Sequence, residues 1–246
     1  MKLVVIIPVY NHEHAIGSVV DQVLAHQLPI ILIDDGSSEA CAAVLVQLTA
    51  AHPGTVSLVR LAQNSGKGGA VMAGFREAKR LGYTHALQVD ADGQHTLEDV
   101  PTFVAAAEAH PLALVTGYPV FDDSVPKARL YGRLLTHLMV WLNTLSFAIK
   151  DSMCGFRVYP LADVVDIIDH ARLGRRMDFD PEIAVRLVWR GVKVVNLPTP
   201  VSYPRDGVSH FDALWDNVRI SGMHTRLFFG MLLRLPMLLW RRTFGS

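Results

Sequence analysis

The sequence predicts an α/β fold with a mostly parallel central sheet flanked by helices, followed by an apolar C-terminal helical tail. Three observations predict it. Short β-branched apolar runs alternate with amphipathic stretches from the first residues onward, and the runs close on acids, Gly and Ser. The 246 residues, half of them hydrophobic, also suffice for one large core or one domain with a small appendage.

The first run, Leu3-Val4-Val5-Ile6-Ile7 with Pro8 behind it, is a buried strand. It is too short for the apolar region of a signal peptide and lacks a small-residue cleavage site. A helix is expected from about Ala15 to His26, then a strand from Pro29 that closes on Asp34-Asp35-Gly36-Ser37-Ser38. Strand, helix, strand implies parallel pairing. The pattern repeats with a helix at Ala40 to Ala51, a strand at Val56 to Leu61, a helix at Gly69 to Leu81 and a strand at Thr84 to Gln88. In a Rossmann-like sheet of this kind ligands bind beyond the carboxyl ends of the strands, where Asp34, Asp35, Asp90 and Asp92 all fall.

Charge and cysteine content exclude several classes. With 23 basic and 23 acidic residues there is no global field to attract nucleic acid, so any anion site is local. Cys41 and Cys154 lie far apart and neither belongs to a C-x-x-C pair, which argues against a zinc site or a disulfide framework and suits a reducing compartment. The eleven histidines include no H-E-x-x-H, and His12 and His14 read as surface residues.

The chemistry-bearing segment is Val89-Asp90-Ala91-Asp92-Gly93-Gln94-His95. In extended backbone, residues i and i+2 point the same way, so Asp90 and Asp92 can converge on one hard cation, Mg2+ or Mn2+, that holds a diphosphate. Alone, the pair reads more readily as an ordinary acidic turn. Two nucleotide-binding alternatives fail on their glycines. Pro8-Val9-Tyr10-Asn11 stands where G-x-G-x-x-G would follow the first strand, and in Gln63-Asn64-Ser65-Gly66-Lys67-Gly68 the P-loop pattern lacks its first glycine and its Ser/Thr. What remains there is a glycine turn that places Lys67 at a helix N-terminus, a local anion contact or a solvated helix entry.

Taken in order, Ile7-Pro8-Val9-Tyr10-Asn11, Asp34-Asp35-Gly36-Ser37, Asn64-Ser65-Gly66-Lys67-Gly68 and Asp90-Ala91-Asp92-Gly93-Gln94-His95 resemble the motifs of family 2 glycosyltransferases with the GT-A fold. The nearest branch is that of dolichyl-phosphate mannose synthase and related polyprenyl-phosphate sugar transferases. The resemblance implies that Pro8, Tyr10 and Asn11 border the nucleoside, that Asp35 bonds the base or ribose, and that Lys67 lies nearby. It also implies a metal held by Asp90, Asp92 and Gln94. Glu13 receives no role, because His12 stands where many relatives carry the glutamate.

The second half matches more loosely, through Asp151 to Arg157 and Met177 to Glu182. There the resemblance implies that Arg157 borders the acceptor or sugar, and that Arg205 and Ser209, in an Arg-x-x-Gly-x-Ser loop, close over the diphosphate. Arg129 and Arg133 match a basic approach to the acceptor phosphate. The expected division is a domain over residues 1–222, with 1–118 binding the nucleotide sugar and 119–222 the acceptor, and a tail over 223–246.

The implied reaction is an inverting, metal-dependent transfer of a sugar from a nucleotide-diphosphate donor to a lipid-linked acceptor, polyprenyl phosphate above all. A lipid phosphate is already largely ionised near neutral pH and needs no strong base. A hydroxyl of a glycolipid or small molecule would need one, and Asp180 or Glu182 are the candidates. A non-catalytic nucleotide-sugar-binding module is the reading from another class.

Leu134 to Ile149 is apolar but only about sixteen residues, short of the roughly twenty a spanning helix needs. Leu227 to Trp240 is interrupted by Arg234 and Pro236 and ends in Arg241-Arg242, which suits a helix lying in the headgroup region or packed on protein, including a second subunit. The expected location is cytoplasmic, peripheral at the inner face of the cell membrane.

Overall fold

A computed structural model describes residues 1–120, 127–200, 212 and 214–244. The described elements run β1 (Leu3–Val9), α1 (Ile16–Leu24), β2 (Ile30–Asp34), α2 (Glu39–Ala51), β3 (Val56–Arg60), α3 (Lys67–Arg80), β4 (His85–Gln88), a short 3-10 turn (Leu97–Asp99), α4 (Val100–Ala109) and β5 (Leu114–Val120). They continue with α5 (Lys127–Thr144), β6 (Arg157–Pro160), α6 (Leu161–His170), α7 (Phe179–Arg190), β7 (Val194–Pro200) and α8 (Trp215–Phe244). Among the described residues the strands form one sheet of seven in the order β3-β2-β1-β4-β6-β5-β7.

The pairing explains why the strands read as unbroken apolar runs. β1 lies between β2 and β4, parallel to both, and every residue of Leu3–Val9 is buried. Val4, Ile6, Ile31 and Ile33 pack on one side with α3, α6, α7 and α8, while Val5, Ile7, Ile30 and Leu32 pack on the other with α1, α2 and α4. The side-chain period of two divides the residues of one strand between two cores. β6 is the exception, antiparallel to both β4 and β5. The strand order reverses between β1 and β4, so a crevice opens beyond their carboxyl ends. The sheet runs unbroken from β3 to β7, so the two expected halves share one framework.

Local chemistry sets the helix ends. The Ser38 hydroxyl accepts from the N–H of Cys41 at 3.3 Å and caps α2. α7 stops at Gly191, which takes the left-handed conformation. The C-terminal helix begins at Trp215, so the boundary expected after residue 222 falls inside a single element. Ile220, Met223, Leu227, Met231 and Leu238 of α8 are buried against the domain, and the helix is therefore part of the core on one face.

A buried polar pair joins α8 to α5. The Asn143 amide contacts His224 Nδ1 at 3.2 Å, and the Asn143 carbonyl accepts from the Trp189 indole of α7 at 2.8 Å. Burial pushes the His224 imidazole down to about 4 from its ordinary 6.5. Between those values the unfolded chain binds the proton that the folded chain refuses, so the associated stability is full above about pH 6.5 and is lost as pH falls toward 4. Replacing the imidazole removes that slope. Across pH 7 to 4, urea unfolding of His224→Leu is expected to gain roughly 3 kcal/mol on the wild type relative to their difference at pH 7.

Candidate active site

Three loops meet beyond β1, β2 and β4. After β1, Asn11 adopts a positive φ of 53°, donates its N–H to Ser37 Oγ at 3.1 Å and accepts from the Ser38 N–H on its side-chain oxygen at 2.8 Å. Asn11 tolerates this left-handed position better than most residues. Pro8 is buried within β1 opposite Ile33, and Tyr10 is half-buried at the end of the strand.

Asp35 follows β2, is buried, and its carboxylate accepts from the Ser65 N–H at 2.6 Å. Burial raises its pKa above the ordinary carboxylate value, against the bonds from the Ser65 and Gly66 backbone. The residue expected at the base or ribose therefore also clamps the glycine turn to the second strand. Asp34 accepts from the Ser37 N–H at 2.8 Å and lies 3.2 Å from the Arg60 guanidinium, which makes it a part of the turn.

The glycine turn delivers Lys67 to the centre of the site. Gly66 has φ 83°, and a Cβ there would stand 2.4 Å from the Arg175 carbonyl, so only glycine lets α3 begin at this point. Lys67 then reaches inward. Its ammonium lies 2.8 and 2.9 Å from the two oxygens of Asp90 and 3.2 Å from Asp180 Oδ2. Burial would lower the lysine pKa, but the charges of Asp180 and Asp90 outweigh it and hold the pKa above its ordinary value. Burial likewise opposes the charge on Asp90, whose pKa is nevertheless held far below the usual carboxylate range by Lys67 and His95. The pair stays ionised.

Each member of this bridge is supported from a different element. Gln88 of β4 donates to Asp180 Oδ1 at 3.1 Å, and Arg157 of β6 donates to the Asp180 carbonyl at 2.7 Å. The His95 imidazole stacks on Phe156 and places Nε2 3.3 Å from Asp90 Oδ2. Gly155 presses its backbone on the pair, since a Cβ there would stand 2.7 Å from Asp90 Oδ2 and 3.0 Å from Lys67 Nζ.

Above the bridge lies a cavity of about 90 Å3 lined by Asp90, Asp92, Gln94, His95, Arg133 and the backbone of Met153 to Gly155. Its volume holds a cation with a few waters. Asp92 Oδ1 accepts from the Gln94 N–H at 3.0 Å, which turns the loop so that both side chains line the cavity. Arg133 of α5 pairs through two nitrogens with Asp151, at 2.5 and 2.8 Å, and Asp151 also accepts from the N–H groups of Met153 and Cys154. The charge on Asp151 survives burial because His137 and Arg133 hold its pKa low.

Several expected residues lie elsewhere. Glu182 is fully buried away from the cavity, where it accepts from the Gly174 N–H at 2.8 Å and pairs with Arg186 at 2.8 Å and Arg226 at 3.4 Å. It holds α7 to its surroundings and is no base. Arg157, expected beside the acceptor or sugar, is fully buried under Asp180 and supports the site from below. Arg129 lies on the first turn of α5, and Arg205 and Ser209 fall outside the described residues. Gln88, Asp151, His95 and Gly155 were given no role in the sequence. Of these, His95, Asp151 and Gly155 stood in segments that carry the resemblance, and only Gln88 had no such signal.

A mostly parallel sheet with one inserted antiparallel strand, and an acid pair beyond the fourth strand, is the arrangement expected of the GT-A fold. The family model described as Glycosyl transferase family 2 matches residues 4–179, and the chain belongs to that family. Polyprenol monophosphomannose synthase of Mycolicibacterium smegmatis is 28% identical over 222 residues, covering 85% of this chain and 80% of that one. Dolichyl-phosphate beta-glucosyltransferase of Dictyostelium discoideum is 30% identical over 201 residues, covering 74% and 60%. Among solved structures, Mycobacterium tuberculosis glucosyl-3-phosphoglycerate synthase in complex with Mn2+, UDP and phosphoglyceric acid aligns with a TM-score of 0.64 at 16% identity, covering 94% of this chain and 77% of that one.

Removing the buried Glu182 carboxylate strands Arg186 and the Gly174 N–H. Glu182→Ala is expected to lose about 3 kcal/mol in chemical denaturation while the folded protein keeps its donor affinity. An equal loss of donor affinity would return Glu182 to the site.

Proposed function

We propose that this glycosyltransferase moves a sugar from a nucleoside diphosphate onto a lipid phosphate, with inversion and with the help of Mg2+ or Mn2+. One observation carries the reading: Asp90, Asp92 and Gln94, at the end of β4, line the same small cavity as Arg133, at the start of the apolar part of α5. The leaving diphosphate and an incoming phosphate thereby have adjacent seats.

The donor set fits a hard cation that keeps part of its shell for other ligands. Asp92 and Gln94 line the cavity, and among the described residues no three His, Cys, Asp or Glu side chains are grouped to hold a metal ion by themselves, so phosphate oxygens would have to complete the shell. Mg2+ and Mn2+ suit such sites, binding through one or two carboxylates plus phosphate oxygens. The relative solved with Mn2+ and UDP supports this choice. When bound, the ion would neutralise charge growing on the departing diphosphate. Asp92, Gln94 and Asp90 would hold it, and Lys67 lies within reach of the same charge.

The acceptor class follows from what the site lacks. Glu182 is buried in ion pairs, and Asp180, which does not line the cavity, stays bonded to Gln88 whichever way Lys67 points, so neither carboxylate is placed to take a proton from a hydroxyl there. A phosphate acceptor needs no such base, because it arrives already ionised. The two lipid-phosphate relatives agree with this choice. We take the transfer as a single displacement with inversion, the acceptor oxygen bonding to the sugar's anomeric carbon as the diphosphate departs.

The acceptor's hydrocarbon has a surface to follow. Leu134, Leu135, Leu138 and Leu142 of α5 are exposed on the turns just after Arg133, and Phe229, Leu232, Leu233, Leu239 and Trp240 are exposed on the neighbouring α8. Among the described residues no helix is long and apolar enough to cross a membrane. We take the two faces to rest on a bilayer, which puts the protein at the cytoplasmic face of the cell membrane with the lipid phosphate at Arg133.

Transfer of a labelled sugar to polyprenyl phosphate is expected with Mn2+ and not with chelator, and Asp92→Ala is expected to lower it at least a hundredfold. Metal-independent transfer, or a hydroxyl acceptor used in preference, would sink the reading. Leu138→Asp combined with Leu233→Asp should abolish flotation of the protein with anionic phospholipid vesicles without lowering its melting temperature.

A further inference from the structure

Lys67 occupies an unusual position for a residue expected to touch a substrate. Its side chain is four-fifths buried, and its ammonium faces inward to two carboxylates, Asp90 and Asp180, rather than outward to the cavity. Both Asp90 oxygens lie within 2.9 Å of it, and His95 Nε2 approaches one of them as well. The carboxylate that would be the first protein ligand of a divalent ion is therefore already neutralised from within. Asp92, two residues on, has no cationic partner among the described residues and lines the cavity with Gln94.

We infer that Lys67 is a built-in stand-in for the divalent cation: it holds Asp90 and Asp180 while the site is empty, competes with the metal for Asp90, and must turn toward the donor's diphosphate before the metal binds tightly. The inference rests on the metal-dependent reading above and adds an order to it. An ammonium and a divalent ion sharing one carboxylate at contact distance repel each other strongly in a partly buried site. A diphosphate relieves the conflict by offering the lysine a second anionic partner and the metal further oxygens. Metal and nucleotide then enter as a unit, and the free protein ignores metal that has no nucleotide with it.

The surrounding geometry suits a lysine that moves between two anchors. Lys67 sits on the first turn of α3, and its side chain reaches the pair past Gly155, where the bare backbone leaves no Cβ in the way. Asp180 stays satisfied when the ammonium leaves, because Gln88 still donates to it at 3.1 Å. Asp90 retains His95. Each carboxylate thus keeps one donor in both states.

Mn2+ binding read by electron paramagnetic resonance of the free ion tests this without any turnover. Wild type is expected to bind Mn2+ weakly alone and at least tenfold more tightly with UDP or GDP present. Lys67→Met should bind Mn2+ alone at least tenfold more tightly than wild type, and Lys67→Arg, which keeps the charge, should not. If the loss of the ammonium leaves Lys67→Met unfolded, Lys67→Met with Asp180→Asn removes one of the two stranded charges and must still bind Mn2+ more tightly than wild type. Unchanged or weaker Mn2+ affinity in Lys67→Met and in its Asp180→Asn double variant would overturn the inference and leave the metal-dependent reading standing. Absence of Mn2+ binding in wild type even with nucleotide would overturn both.

Discussion

One buried ammonium organises this molecule. Lys67 comes from the first turn of α3 and is held by Asp90 just beyond β4 and Asp180 at the start of α7, two acids 90 residues apart in the chain. Charges this buried survive only in pairs with further hydrogen bonds, and the surroundings supply them: Gln88 and Arg157 from the strands beneath, and His95 from the loop beside them. The glycines follow from the same demand. Gly66 lets α3 start against Arg175, and Gly155 lets a second loop close over the pair.

This constraint separates the residues that line the cavity from those that hold them. The cavity belongs to Asp90, Asp92, Gln94, His95 and Arg133, while Arg157, Gln88 and Asp151 act one layer further in. Arg133 illustrates the division. Its guanidinium is fixed by Asp151, whose oxygens also tie down the N–H groups of Met153 and Cys154, so the arginine and the loop bearing Gly155 are set by one carboxylate. A fork fixed in this way meets a phosphate without first losing side-chain freedom.

The first half of the fold was legible because parallel strands buried on both faces leave short unbroken apolar runs. The expected helix over 40–51 is observed at Glu39–Ala51, and the strand over 56–61 at Val56–Arg60. β6 was not legible: it has four residues, includes a buried arginine and a proline, and runs against its neighbours. The site divided along similar lines. Asp90 and Asp92 do line one cavity, but the strand ends at Gln88 and the chain turns at Ala91 and Asp92, so a turn and not the expected extended backbone brings them together. Asp180 and Glu182 looked equivalent by the same spacing, but on a helix residues two apart point roughly 200° from one another. One therefore faces Lys67, and the other faces Arg186 and Arg226 on the far side. The Lys67 bridge itself had no sequence signal, since contact across distant elements leaves no spacing to read.

Lys67 and Asp180 stabilise one another directly, and a double-mutant cycle measures that. Lys67→Met, Asp180→Asn and the double variant would be compared by chemical denaturation in the presence of chelator. A coupling energy above about 1.5 kcal/mol, with the double variant more stable than the sum of the single losses, is the expected result. Losses that add to within about 0.5 kcal/mol would contradict it.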